Sequence, residues 1–519
     1  MIARPTVLAL IGALLATASH AAGPDDRRHM EDLSRQVANI AAVAQLGELP
    51  AAEVGNMAKG PYAMTPAMLG VLQGRKAAPI LKLGEAVGAG EVDSVKVDFV
   101  LAQLRMQMGA NYHLQLRQAL PSREAPTLFV RGGRMTLKEL VAAGAKVDPS
   151  ALVAQDGKVV AHWPIIVWSD AELVLEPGDN LRLDDANGVF LFNAGLLRAD
   201  GATVAGLGNG NARQEKFRPF ITTALTGGMQ VSGTHFSNLG FDGYSAMEGV
   251  SLIGGAIFPS KIRSYVVGSV FDNAGTLTFR NARDLVLQGN TFRAMTGPAV
   301  ELNHVERARI ASNLISGTRT SHGISLKGGT SEATIGSNIV IDNAGSGIFA
   351  ANGTRLLTIE GNLLAANRGG GIGLVRSVCA DLEGNTVFRN GQSGVKLRQT
   401  SSVTISGNDL VGNDGMAVSV VQQPMSGDLS ISSNVFDGNK SGLFGAAVRS
   451  VALTGNDFSA QMPILFDGEL ARFVPALLKS DAGLQGADMT LTGNPLPSQM
   501  DVSGISPYGL ETCDLGDRS

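Results

Sequence analysis

The sequence is poor in cysteine, aromatic residues and charge, and each shortage closes off a class of protein. Two cysteines in 519 residues, Cys379 and Cys513, cannot build a disulfide framework or a cysteine metal cluster. One bridge between them is allowed in an oxidising compartment, but the sequence does not fix it. The formal charge of -4 lacks the basic excess of a general nucleic-acid binder, so any anion-binding surface must be local. There is no zinc-ligand spacing, nucleophile elbow or phosphate-binding glycine loop. Beyond the N-terminal stretch no apolar run is long enough to span a bilayer.

That N-terminal stretch reads as a signal peptide. Arg4 supplies the positive charge, Val7 to Thr17 the apolar run, and Ser19 and Ala21 the small residues before a cleavage point after Ala21 or Ala22. Residues 1–22 are therefore set aside, and the protein is expected to act outside the cytoplasm with no membrane span. What the chain has in abundance is glycine, 65 residues, beside 44% hydrophobic residues. A turn-rich chain with enough apolar surface for a large core suits a repeat architecture.

The repeat is explicit. Asn290, Asn313, Asn338, Asn362, Asn385, Asn408, Asn434 and Asn456 recur at intervals of 22 to 26 residues. Three residues before each stands Leu or Ile, and two residues after each an apolar residue. A second Asn follows five residues later at Asn343, Asn367, Asn390, Asn413 and Asn439. A third marker is a small residue before an aliphatic one, as at Gly323-Ile324, Gly347-Ile348 and Gly371-Ile372. Short period-two strands broken by Asn and Gly turns, repeated at this length, predict an all-β fold: a right-handed parallel β-helix in which equivalent strands stack. Eight copies of one asparagine predict an amide ladder along the axis rather than a catalytic group.

Weaker coils extend upstream through Pro164 to Trp168, Leu173 to Leu175 and Val189 to Phe192. Thr127 to Val130 and Thr136 to Ala142 read as a strand and a short helix that cap the first coil and hide its edge. The solenoid is thus expected over residues 126–495, after a mainly helical N-terminal region, residues 23–125, with helical patterns at His29 to Leu46 and Val95 to Met108. Residues 496–519 form a tail expected to pack on the last coil.

Alternation assigns faces. In the strands near Val300, Ile324, Ile348, Ile372 and Val395 the aliphatic residues point inward, so Glu301, Asn303, Ser325, Lys327, Phe349, Lys396 and Arg398 point outward. With Arg280 and Arg376 these make a basic stripe, suited to a linear polyanion laid along the axis. His304 and His322, two of seven histidines, fall in the same coils with Glu301 nearby and are acid–base candidates.

These residues carry a resemblance. The segments Thr127-Leu128-Phe129-Val130-Arg131-Gly132-Gly133, Met135-Thr136-Leu137, Pro164 to Trp168, Gly188 to Leu191, Phe217-Arg218-Pro219-Phe220 and Ser321-His322-Gly323-Ile324 occur in an order that resembles the periplasmic mannuronan C5-epimerases of alginate biosynthesis, over roughly residues 126–420. The resemblance implies a periplasmic location, an acidic linear polysaccharide as substrate, export-complex proteins as further partners, and inversion at C5 without metal or organic cofactor. It also implies a base within an Asp-Pro-His-Asp motif and an arginine one coil later that neutralises the uronate carboxylate. Here that motif reads Glu301-Leu302-Asn303-His304, and Lys327-Gly328 stands near the arginine's place. Asn303 cannot act as a base near neutral pH, which leaves His304 or His322 for that role and Lys327 for neutralisation. Three readings stay open: a C5-epimerase with a rearranged motif, a non-catalytic scaffold that binds and protects the polymer, and a lyase that shares the first proton abstraction.

Overall fold

A computed structural model describes residues 24–46, 56–57, 64–74, 80, 88–108, 112–241, 247–255, 260–424, 428–480, 483–495 and 513. The expected signal peptide, and the expected tail apart from Cys513, lie outside the described residues.

Val300, Leu302, Ile324, Leu326, Ile348, Ala350, Ile372 and Leu374 alternate with polar or small neighbours, and all eight are fully buried. A strand with that period has one face inward, and such strands stack here into about 12 turns of a parallel β-helix. Ile324 lies between Val300 and Ile348 in register, and Ile348 is followed by Ile372, so the small–aliphatic marker forms one column. The coil has three sides. The first sheet contains Val300–Asn303, Ile324–Lys327, Ile348–Ala351, Ile372–Val375 and Val395–Arg398. Within one turn the second side is, for example, Ser331–Gly336 and the third Ile339–Ile341. The upstream segments join the stacks as Ile165–Val167, Ala171–Leu175 and Leu191–Asn193.

The asparagine columns are ladders at the two corners flanking the third sheet. All eight members of the first are no more than 1% exposed. Asn338 Nδ2 donates to Asn362 Oδ1 at 3.0 Å and to the Ile310 carbonyl at 2.9 Å, and the Asn338 backbone N–H donates to the same Oδ1 at 2.9 Å. The pattern repeats turn by turn to Asn456. The second ladder runs from Asn343 to Asn439 and is closed by Gln461, whose Oε1 accepts from Asn439 Nδ2 at 3.0 Å. Each amide thereby satisfies backbone groups that a buried turn would otherwise orphan.

The ends differ from expectation. Val95 and Lys96 finish a strand, Glu91–Lys96, so the helix read from Val95 begins at Val97. That strand pairs antiparallel with Pro126–Arg131 and covers the edge of the first sheet. The helix Leu137–Val147, started by a capping box of Thr136 and Glu139, lays Leu137 and Leu140 on the core beside Leu128 and Leu152 of the first turns. Parallel stacking stops at Phe466–Gly468, short of residue 495. There Gln485–Thr492 turns back antiparallel to Ser450–Ala460 and takes up the open edge. The expected helical region supplies the helix Pro24–Leu46, which packs Leu33, Val37 and Ile40 on the third sheet around Ile339, Ile341 and Phe388. Cys379 on the second sheet is bonded to Cys513 across 134 residues, a pairing the sequence left open.

Asp409 lies in the outer row of the third sheet between Thr386 and Val435. Burial pushes its carboxyl up to about 6. The folded state then holds a proton that the unfolded chain has released, so this contribution to stability is complete below the ordinary carboxylate pKa and is lost as pH rises through about 6. Asp409→Asn is expected to stabilise the protein at pH 7.5 by up to about 3 kcal/mol and hardly at all near pH 3.5. Melting curves at the two pH values check this, and an equal gain at both would rule the charge out as the cause.

Candidate functional site

The first sheet carries its chemistry at the two ends of its short strands. After each strand the chain turns through a left-handed residue, and these residues form a column: Asn281, His304, Gly328, Asn352, Arg376 and Gln399. His304 therefore stands on the turn that follows Val300–Asn303, with φ 53°. Its Nδ1 is 2.7 Å from Asn303 Oδ1. An amide oxygen only accepts, so in the neutral imidazole the proton sits on Nδ1 and Nε2 keeps its lone pair. The ring leans over Gly328 of the next turn, where a Cβ would stand 2.7 Å from it and 2.1 Å from Asn303 Oδ1. Gly328 thus provides both the left-handed turn and the space for the imidazole.

Beside this pair Glu301, only 7% exposed, accepts an ion pair from Lys327 Nζ at 2.8 Å. Arg280 is the neighbour of Asn303 in register on the preceding turn. Thr278, next to Glu301, has a buried hydroxyl with no hydrogen-bond partner among the described residues.

His322 sits at the other end of the strand Ile324–Lys327. The Ser346 backbone N–H donates to its Nδ1 at 3.0 Å, so the neutral ring carries its proton on Nε2. The ring stacks on Phe349 with centroids 4.4 Å apart and planes 10° from parallel. Burial, and then the nearby charge of Lys327, lower its pKa below the ordinary histidine value. A neutral imidazole in this tautomer donates from Nε2 and has no spare lone pair while the Ser346 bond stands. Of the two histidines, only His304 is held with a free basic nitrogen.

The basic stripe is interrupted. Preceding Arg398 in its row are Val375 and Ala351, so Arg280 and Lys327 form one group and Lys396 and Arg398 another. Arg376 is turned aside to donate to Asn352, and Arg398 Nε donates to Gln422 Oε1 at 3.1 Å. Between the groups lies a groove of about 280 Å³ lined by His322, Phe349, Arg368, Gly373, Lys396 and Arg398 among others. A hollow of about 400 Å³ beside the Cys379–Cys513 bridge is lined by Asp381 and Asp428 and, among the described residues, by no cation, which suits a polyanion poorly. Sequence reasoning named His304, His322, Glu301, Asn303 and Lys327, which the structure gathers on neighbouring coils. It missed Thr278, Gly328 and the partnership of His322 with Phe349, although an aromatic on an outward strand position was a visible signal. No helix among the described residues is long and apolar enough to cross a membrane.

Known proteins match this architecture and this region. The family described as "Right handed beta helix region" matches residues 186–354 and 322–469, more than half of the chain. A mannuronan C5-epimerase of Pseudomonas aeruginosa is 31% identical over 307 residues, covering 56% of this chain and 56% of that protein. The mannuronan C5-epimerase AlgG of Azotobacter vinelandii is 30% identical, covering 53% and 54%. The chain thus spans a little over half the length of these curated relatives. The crystal structure of the periplasmic alginate epimerase AlgG superposes with a TM-score of 0.61, covering 75% of this chain and 98% of that one at 19% identity, a likeness of fold.

Proposed function

The chain belongs to the right-handed β-helix family, and we propose that the outer face of its first sheet epimerises a uronate-containing polysaccharide at C5 in the periplasm, as the polymer is exported alongside proteins of an export complex. The observation that carries this reading is the His304–Asn303 pair, which leaves Nε2 of His304 basic one turn from Lys327. A sugar lying across Ser325 has His304 beyond one end of the strand and His322 beyond the other. His304 Nε2 takes the C5 proton, and the electron pair left behind is delocalised into the carboxylate, whose added negative charge Lys327 and Arg280 offset. A proton then returns from the opposite side, from water held by the Nε2–H of His322, and the hydroxide left behind is neutralised through solvent by the proton that His304 took up. Breaking and remaking one C–H bond in this way calls on no cofactor.

The test is exchange of the C5 hydrogen with solvent deuterium, followed by NMR on poly-mannuronate or the polymer of the source organism. An epimerase exchanges this hydrogen and inverts the centre, while a lyase removes it without replacement and leaves new chain ends unsaturated between C4 and C5. A second reading has its own support: Glu301 balances the charge of Lys327, which weakens the neutralising group. On that reading the face only binds and protects the polymer. Firm binding with no exchange would decide for the scaffold and against the enzyme.

A further inference from the structure

We infer that Phe349 and Gly373 form a sugar-stacking subsite, two to three turns along the first sheet from His304, which grips one pyranose of an acidic polysaccharide away from the reacting residue. The inference rests on reading the first sheet as a polyuronate face. In the outward row of that sheet Ser325, Phe349, Gly373 and Lys396 follow one another in register. One face of the Phe349 ring is covered by His322. On its other side the next residue in the row has no side chain, and a Cβ there would come within 3.0 Å of the ring. Gly373 is not left-handed, so its backbone does not demand glycine. Glycine here gives the phenyl its room, and the groove lined by Phe349, Gly373, Lys396 and Arg398 opens beyond the ring as a slot.

The slot has dimensions and a charge. Lys396 stands two strand spacings from Phe349, about 9.5 Å between backbones, which leaves a gap of one ring's thickness once the phenyl is counted. Lys396 and Arg398 form the far wall of the groove and Arg368 lies at its side. An aromatic face takes the axial C–H groups of a pyranose, and cations beside it take a carboxylate. A neutral sugar uses only the first feature and a bare polyanion only the second, so a uronate polymer is the ligand that uses both. The His322 stack holds the phenyl in place before the sugar arrives, which reduces the entropy lost on binding. Measured from Ser325, where the reacting sugar lies, Phe349 and Gly373 stand one and two strand spacings along the axis, about 5–10 Å, which makes this a hold on a neighbouring sugar of the same chain.

Calorimetric titration with long mannuronate oligomers tests the inference on the full protein. Phe349→Ala is expected to weaken binding about tenfold, the size of one stacking contact, and by the same factor at low and high salt. Gly373→Leu, which fills the slot, should give a similar loss, while Phe349→Trp should keep the parent's affinity. Saturation-transfer NMR with aromatic irradiation should mark sugar ring hydrogens in the parent and in Phe349→Trp but not in Phe349→Ala. If Phe349→Ala and Gly373→Leu bind as the parent does, or if their losses fade with salt, the subsite is overturned while the polyuronate face stands. If the parent binds no mannuronate oligomer and no native polymer, the face itself is misread and the subsite falls with it.

Discussion

His304→Ala is expected to reduce C5-hydrogen exchange by about 10²- to 10⁴-fold, the span that a positioned general base supplies. Of the two histidines His304 alone has a basic nitrogen left free by its partners, since Asn303 accepts from Nδ1 while His322 is bonded at Nδ1 by Ser346. Asn303→Ala should cost less, because the amide orients the ring and fixes its tautomer but takes no proton. Gly328→Ala is the informative companion. It leaves the imidazole in place chemically but drives a methyl to 2.7 Å from the ring, so exchange should fall towards the level of His304→Ala with the histidine still present. His322→Gln keeps a donor and should lose less than either. Exchange that survives His304→Ala within threefold of the parent would remove His304 as the base and with it the mechanism as drawn.

Asn362→Ala is expected to destabilise the solenoid by about 3–6 kcal/mol, more than any surface change. The side chain is 1% exposed. Its Oδ1 accepts from the backbone N–H and Nδ2 of Asn338, and its Nδ2 donates to the Ile335 carbonyl at 2.8 Å. Alanine removes three buried hydrogen bonds, leaving the Asn338 backbone N–H without its acceptor while Asn338 Nδ2 keeps only the Ile310 carbonyl, at about 1–3 kcal/mol for each bond lost. Asn362→Asp keeps the acceptor but sets a carboxylate against Asn385 Oδ1 and the Ile335 carbonyl, so it should be no better tolerated. Glu360→Ala, at an exposed position two residues away, is the control and should stay within about 0.5 kcal/mol. Denaturant unfolding gives the magnitude, and hydrogen exchange should place the loosening in the turns around Asn338, Asn362 and Asn385. An Asn362→Ala protein as stable as the control would mean that the ladder does not hold the turns together.

The ladders could be read from the sequence because an amide stack needs the same residue once per turn, and a turn of 22 to 26 residues shows itself as a period. The inward face could be read because alternation at Val300, Leu302, Ile324 and Leu326 is local. What lies between turns was not legible. Turn lengths vary, so no spacing rule says that Lys327 meets Glu301 rather than a ligand, or that Ala351 and Val375 stand in the row that leads to Arg398. Glu91–Lys96 escaped notice because Val92 and Val95, three apart, imitate a helical face, and its identity as a strand comes only from its partner Pro126–Arg131. Gly373 was invisible for a different reason: within a repeat full of glycine turns, a glycine chosen for space looks like one chosen for conformation.

A stack of coils opens from its ends, as a zipper does, because every interior coil is held on both sides. The Cys379–Cys513 bond changes what such opening means here. The coils that follow Cys379 lie inside a covalent ring, so a terminal coil that lifts away stays tethered to the body it left. Its return is intramolecular with or without the bond, and the bond raises the effective concentration by holding the free end near the coils it left. The order of synthesis adds a second consequence, since Cys379 always precedes Cys513. The ring can close only after the intervening coils have emerged, and it acts as a clasp fastened last.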